Sequence, residues 1–123
     1  MLYFYYRLLR VIIARYKTVM GDKRGNAAEW KVKEKLKFLK QDSLIISYKK
    51  HKKHSEKDEQ GIDFTVITRR GVAMPLQVKS SEYNVERHKQ KYPNIPVVNG
   101  YDGKLRAKIL KAIKDYEAMY FAK

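Results

Sequence analysis

Apolar residues recur every three or four positions in three segments of the chain, a spacing that places them on one face of an α-helix. The first segment predicts an amphipathic helix from about Leu2 to Val19, which the glycine-containing stretch 21–25 should end. The second predicts a helix from Asn26 to Lys40, with Asn26 as its N-cap. The third predicts a final helix that starts near Leu105, and the polar stretch from Asn84 to Tyr92 is interpreted as a further short helix.

Four runs of alternating or consecutive apolar residues predict β-strands. Ile62 to Thr68 and Val72 to Lys79 alternate, and the stretch 69–71 between them predicts a hairpin; shorter strands are predicted at 44–48 and 95–98. Tightly joined strands should be antiparallel, and the last strand, which follows a helix, should run parallel to its predecessor. We therefore expect an α/β fold in which helices cover the faces of a small mixed four-stranded sheet.

The register of the hairpin predicts which polar side chains meet. The apolar residues of both strands are even-numbered, so burying one face requires strand partners whose numbers have an even sum. A three-residue loop places Thr68 opposite Val72, and the same register places Asp63 opposite Gln77, with Lys79 on that face one step further along. Directly opposed side chains have Cβ atoms about 4.5–5.5 Å apart. A carboxylate, an amide and an ammonium are therefore expected at one end of the hairpin.

Two further residues bear on this arrangement. Glu29 lies on the flank of the apolar stripe of the second helix, and packing of that helix on the sheet would bring it to the same end of the hairpin. A charged residue in such a position usually has a partner or an ion. Pro75 lies within the second hairpin strand, where it cannot donate a ladder hydrogen bond, so a bulge or a lost bond is expected there.

Composition narrows the choice of partners. The 123 residues fit one domain, 1–123, in which the helix of residues 1–20 is appended to a core of residues 25–121. Lys and Arg number 28 against 13 Asp and Glu, and the net charge of +15 favours a polyanion as the partner, either nucleic acid or an anionic membrane surface.

The absence of cysteine excludes a disulfide scaffold and thiol catalysis. Three arginines interrupt the apolar N-terminal segment, so no membrane span is expected. The segment has no basic region ahead of it and no small-residue cleavage site, so no signal peptide is expected. We therefore expect a cytoplasmic, intracellular location.

Basic and hydroxyl side chains supply candidate contacts to a nucleic-acid backbone. The charged stretch 49–60 is expected to be a solvated loop, and its lysines could contact phosphates without reading sequence. Ser80 and Ser81 could donate to a phosphate or cap the helix that follows. The candidate residues are Lys49, Lys50, Lys52, Lys53, Ser80, Ser81, Arg87 and Lys91.

Glu29 in a helix, Gly61-Ile62-Asp63 at the start of a hairpin and Gln77-Val78-Lys79 at the end of the next strand resemble the active-site motif of the PD-(D/E)XK nuclease superfamily. This superfamily includes restriction endonucleases, Holliday junction resolvases and repair nucleases. Ile62 stands where the motif has proline, and Gln77 stands where most members have Asp or Glu, as in the Mrr-like branch of restriction enzymes. The resemblance implies a three-layer α/β/α restriction-endonuclease-like fold with an αβββαβα core, to which the N-terminal helix is added.

The resemblance also implies an activity, that of a Mg²⁺-dependent (or Mn²⁺-dependent) endonuclease that hydrolyses phosphodiester bonds of DNA. Asp63 would be the main metal ligand, with further oxygens from the Gln77 amide and the Val78 backbone carbonyl. Glu29 would hold the metal through water or bind a second ion. Lys79 would orient the attacking water or stabilise charge on the scissile phosphate. A homodimer is expected, and no small-molecule cofactor.

Two other functions fit the same residues. A nucleic-acid-binding module could keep this fold without the chemistry, because Gln77 contributes one negative charge fewer than a carboxylate and should weaken metal binding. A membrane-associated protein could use the basic surface and the first helix, although we do not expect membrane association.

Overall fold

The computed structural model describes the backbone of residues 2–122 and the side chains of residues 8–10, 12, 23–57 and 60–122. Within these bounds the chain is a mixed α/β protein with four helices and a four-stranded sheet. The helices are α1 (Leu2–Gln41), α2 (Glu56–Glu59), α3 (Glu82–Lys91) and α4 (Leu105–Phe121), and the strands are β1 (Ile45–Lys50), β2 (Phe64–Thr68), β3 (Ala73–Lys79) and β4 (Val97–Asn99).

The sheet has the strand order β1-β2-β3-β4. Neighbouring strands β1, β2 and β3 are antiparallel, and β4 runs parallel to β3 after the α3 crossover, as the sequence predicts. The predicted register of the hairpin is also confirmed, because Phe64 pairs with Leu76 and the Thr68 amide donates to the Val72 carbonyl at 2.9 Å. The connecting turn ends at Gly71, whose φ of +81° favours glycine.

Pro75 does not produce the bulge expected from its position. It pairs with Thr65 in an unbroken register between β2 and β3. Its missing N–H would point towards β4, whose pairing with β3 begins only at Gln77, so no bond of the ladder is lost. The irregularity instead lies in β1, where the register shifts between Ile45 and Ser47.

The hydrophobic core lies between one face of the sheet and the helices α1 and α4. The even-numbered residues of β2 and β3 point to this face, as the alternation predicts. Its main buried members are Ala28, Val32, Leu36, Leu39, Phe64, Val66, Met74, Leu76, Val78, Leu105, Ile109 and Ile113. Helix α3 covers the other face, where it contacts β3 and β4.

Helix α1 corrects the predicted break at residues 21–25. The helix runs without interruption from Leu2 to Gln41, so Asn26 is an interior helical residue and not an N-cap. Among the described side chains of α1, those in the core all lie in its second half. Of the predicted apolar stripe in the first half, Leu8, Leu9 and Ile12 are exposed, while Leu2, Tyr5 and Ile13 lie outside the described side chains.

The second half of α1 lies very close to the end of β4. A Cβ atom built on Gly100 would lie 2.5 Å from the carbonyl oxygen of Ala28, so this contact between backbones requires glycine. The predicted loop of residues 49–60 is shorter than expected, because β1 continues to Lys50 and α2 forms a single helical turn. None of the helices, in the part of the chain described, is both long and apolar enough to cross a membrane.

Candidate functional site

Asp63 lies directly before β2, at the edge of the sheet where β2 begins and its partner β3 continues past it. We call this point the fork. The last ladder pair is Phe64 with Leu76, and Asp63 precedes it by one residue. The Asp63 amide donates to the Leu76 carbonyl at 3.0 Å, which turns the chain out of regular register. Asp63 is 4 % exposed, so its carboxylate is held in the protein and not in solvent.

The carboxylate of Asp63 replaces the missing strand as the partner of β3. In a continued ladder the Val78 amide would donate to the backbone of Ile62. It donates instead to Asp63 Oδ2 at 2.9 Å. The structure thereby brings the Asp63 carboxylate to the backbone of the residue between Gln77 and Lys79. The predicted pairing of Asp63 with Gln77 is not formed, because the ladder ends at Phe64 and Leu76.

The backbone carbonyl of Val78 faces the same fork. The neighbouring residues use their backbone groups on the β4 side, since the Gln77 amide donates to Pro96 and the Lys79 carbonyl accepts from Gly100, both at 2.9 Å. The peptide groups of a strand alternate between its two neighbours, so both backbone groups of Val78 point towards the side that β2 has left. The predicted carbonyl ligand therefore lies beside the Asp63 carboxylate.

Gln77 and Lys79 line a cavity of about 650 Å³ between β3 and α3. They alternate with Leu76 and Val78, which belong to the core on the α1 side, so they point to the opposite face. Gln77 is 8 % exposed, and its Oε1 atom has no hydrogen-bond partner among the described residues.

Glu29 lies on α1, which covers the face of the sheet opposite this cavity. Its Oε2 atom is buried and lies 3.2 Å from the Lys50 ammonium, close enough for an ion pair but without the geometry of a hydrogen bond. Lys50 is the register partner of Phe64, the residue after Asp63. Glu29 therefore reaches the end of β2 from the α1 side, whereas Gln77 and Lys79 lie on the other face.

His88 is a site residue that the sequence did not single out. It lies on α3, is 4 % exposed and lines the same cavity as Gln77 and Lys79. Burial, and then the Lys79 ammonium, hold the pKa of His88 below its ordinary value of 6.5, although a hydrogen bond with the Ile95 backbone raises it. Its spacing of three residues from the buried Val85 is the signal that marks the inner face of this short helix.

The predicted nucleic-acid contacts lie in two places near the fork. Arg87 and Lys91 line the cavity with Lys79. The stretch after β1 returns to the fork, because the His51 amide donates to the Asp63 carbonyl at 2.8 Å. Four exposed lysines therefore lie within three residues of this contact: Lys49, Lys50, Lys52 and Lys53.

His51 is fixed beside the fork by a second contact. One of its ring nitrogens lies 2.7 Å from the Thr65 hydroxyl. Burial, followed by the charges of Lys49 and Lys57, lowers the pKa of His51 below 6.5. The neutral ring therefore adds no positive charge to this basic stretch at pH 7.

The two serines after Lys79 have different surroundings. Ser81 is the N-cap of α3, and its hydroxyl accepts a hydrogen bond from the Asn84 amide at 3.2 Å, which confirms the capping alternative. The Ser80 carbonyl accepts from the Arg24 guanidinium at 3.1 Å. Arg24 also lies over the Tyr101 ring, 5.0 Å from its centroid, and so connects α1 to the loop after β4.

The donor set at the fork is unlike a histidine-rich metal centre. No group of three or more histidine, aspartate and glutamate residues suited to a metal ion occurs among the described side chains. The available ligands are the Asp63 carboxylate, the Val78 carbonyl and the Gln77 amide, with the Glu29 carboxylate on the α1 side. Known protein families, curated proteins and solved structures give no match to this chain.

Proposed function

We propose that this protein is a metal-dependent nuclease that hydrolyses phosphodiester bonds of DNA at the fork between β2 and β3. The observation that carries the proposal is the buried Asp63 carboxylate, hydrogen-bonded to the Val78 amide between Gln77 and Lys79. The order of helices and strands and the mixed sheet support a restriction-endonuclease-like fold, the fold that the sequence motif implies. The net charge of +15 supports a polyanionic substrate.

The residues at the fork suit a hard divalent cation. Mg²⁺ and Mn²⁺ prefer oxygen ligands and keep several water molecules. Buried polar atoms without partners are rare in proteins and cost free energy. Gln77 Oε1 is such an atom, and Glu29 Oε2 is buried with an ion pair to Lys50 but no hydrogen bond. Each would gain a contact from a cation or from its bound water. Asp63, Gln77 and the Val78 carbonyl would hold the ion, with Glu29 acting through water.

The protein's own groups have distinct roles in this proposal. A bound Mg²⁺ would polarise the phosphoryl group and make a water molecule more acidic. The Val78 amide orients the Asp63 carboxylate through its hydrogen bond to Oδ2. The Lys79 ammonium stabilises the negative charge that develops on the phosphate during attack. The lysines at the end of β1 and just after it, Lys49, Lys50, Lys52 and Lys53, hold the substrate backbone without reading its sequence.

The direct test compares DNA cleavage by the natural protein and by Asp63→Asn, each with Mg²⁺ and with Mn²⁺. Asparagine has the same shape and can still accept from the Val78 amide, but it removes the charge that would bind the cation. We expect cleavage to fall at least about a hundredfold. Plasmid, single-stranded and branched DNA serve as substrates, and the products are resolved on gels.

The matched control is Asp115→Asn, an exposed aspartate on α4 that is paired with Lys111. It should cleave DNA at the natural rate. Equal cleavage by Asp63→Asn would show that the fork is not catalytic. The binding-module alternative predicts DNA binding with no hydrolysis and no heat of Mn²⁺ binding in a calorimetric titration, and those results together would overturn the nuclease proposal.

A further inference from the structure

The cavity between β3 and α3 has an unusual distribution of charge. Three cationic side chains line it, from Lys79, Arg87 and Lys91, and no acidic side chain lies among the lining residues that the structure describes. Its volume of about 650 Å³ is within the range of pockets that bind small organic molecules. The cavity is therefore much larger than one inorganic anion requires.

His88 provides a buried polar atom with no partner in this cavity. Nε2 of the ring is buried and has no hydrogen-bond partner in the described structure. Burial holds the pKa of His88 below its ordinary value, which favours the neutral ring, and one nitrogen of a neutral imidazole accepts a hydrogen bond. A ligand that fits the cavity should therefore present an N–H or O–H donor to His88.

Aromatic surface completes the lining. The half-buried ring of Tyr92 lies 5.1 Å from the His88 ring, measured between centroids. Tyrosine and histidine rings are surfaces on which nucleobases stack. The cations favour a phosphate, the His88 acceptor favours a donor on a base or sugar, and the rings favour a planar group. A nucleotide carries all three.

We propose that this cavity binds one nucleotide of the substrate strand, with its phosphate between Arg87 and Lys91 and a donor of its base or sugar on His88 Nε2. The inference rests on the proposed function, because Gln77 and Lys79 line the cavity and also belong to the fork. A nucleotide inside a duplex is paired and stacked and cannot enter such a cavity without leaving the helix. The substrate class is therefore DNA with an unpaired nucleotide.

The test measures binding in EDTA, so that no hydrolysis contributes. A fluorescent single-stranded oligonucleotide is the reporter, and the competitors are deoxyadenosine 5′-monophosphate, inorganic phosphate and a blunt duplex of the same sequence. We expect the mononucleotide to compete at least about tenfold better than phosphate, because it adds stacking and the His88 hydrogen bond. The single strand should bind more tightly than the duplex.

Variants of α3 show where the ligand binds. Arg87→Gln and Lys91→Gln should each weaken mononucleotide binding by about tenfold, because each removes a charge-assisted hydrogen bond to phosphate. Lys89→Gln is the matched control, since it removes the same charge from the same helix but lies outside this cavity. His88→Gln should weaken the mononucleotide but not inorganic phosphate, and circular dichroism checks that this buried variant is folded.

Each contrary result has a distinct meaning. Equal competition by phosphate and mononucleotide would overturn the nucleotide assignment, and equal losses in Lys89→Gln and Arg87→Gln would overturn the location. Equal binding of the single strand and the blunt duplex would overturn the assignment of the cavity to an unpaired nucleotide. Asp63→Asn should keep mononucleotide binding. Cleavage without mononucleotide binding would therefore refute this inference while leaving the proposed nuclease intact.

Discussion

The ion pair between Glu29 and Lys50 joins two side chains of unequal exposure. The Glu29 side chain is 13 % exposed, whereas that of Lys50 is 44 % exposed. Partly exposed ion pairs contribute little free energy, so the ammonium can leave at small cost. The Oε2 atom of Glu29 is buried and would then lack a partner. We therefore regard Lys50 as a counter-ion that a divalent cation, or water bound to one, can replace.

This exchange predicts the effect of Lys50→Gln on metal binding. Removing the ammonium leaves Glu29 without its competing partner, so Mn²⁺ should bind about two- to fivefold more tightly, the range that a partly exposed ion pair allows. Calorimetric titration of the natural protein and the variant measures this change. Lys49→Gln is the control, because Lys49 is exposed and adjacent in sequence. Unchanged or weaker Mn²⁺ binding in Lys50→Gln would remove Glu29 from the metal site.

The residues differ in how far their placement follows from sequence. Asp63 and the segment from Gln77 to Lys79 come together because strand register depends on a period of two and on turn length, and both are readable in the chain. The partner of Glu29 cannot be predicted from the sequence in this way, because it depends on how α1 crosses the sheet. His88 lies in a helix with few apolar residues, so only the position of that helix over β3 shows that it is buried.

At the scale of single elements, α1 shows tertiary structure overriding local preference. Each interior glycine disfavours a helix by about 1 kcal/mol relative to alanine, which is why the stretch 21–25 predicts a break. Packing on the sheet stabilises the second half of α1. A helix that has already formed extends at low cost, so α1 continues through the glycines. The strands are predicted more directly, because their alternating apolar residues mark the face of the sheet that α1 and α4 bury.

Gly25→Ala tests whether this continuity holds in solution. Gly25 is helical, and a Cβ atom built on it meets nothing within 4 Å, so alanine should stabilise the protein by about 0.5–1 kcal/mol. Urea denaturation followed by circular dichroism measures the free energy of unfolding. Gly71→Ala is the opposite case, since its φ of +81° should make alanine destabilising. A loss of stability in Gly25→Ala would show that the helix bends or ends there.

For the whole molecule, the distribution of positive charge matters as much as its total. The fork is bordered by the lysines at and just after the end of β1 and by the cations of the β3–α3 cavity, whereas other lysines lie on the outer face of α1. Contacts to phosphates release counterions, so each one adds about 0.9 to the slope of log affinity against log salt concentration for duplex DNA. Salt dependence can therefore locate the interface.

Two triple variants of equal charge make this comparison. Replacing Lys49, Lys52 and Lys53 by Gln should lower the magnitude of the salt slope by up to about 2.7, or 0.9 for each contact. Replacing Lys33, Lys35 and Lys37 by Gln removes the same charge from exposed positions on α1 and should change the slope by less than about one contact. Fluorescence anisotropy at several salt concentrations gives both slopes. Equal slopes for the two variants would mean that total charge, and not the fork, governs binding.

The length of α1 has a hydrodynamic consequence. Its 40 residues extend about 60 Å at 1.5 Å per residue, whereas a compact domain of 100 residues has a radius of gyration of about 13 Å. A rod of this length adds friction out of proportion to its mass, so a single chain of 14.6 kDa should elute from a sizing column well ahead of a compact protein of equal mass. Early elution would therefore not show that two chains associate, and only a mass obtained from light scattering or sedimentation equilibrium separates a homodimer from one elongated chain.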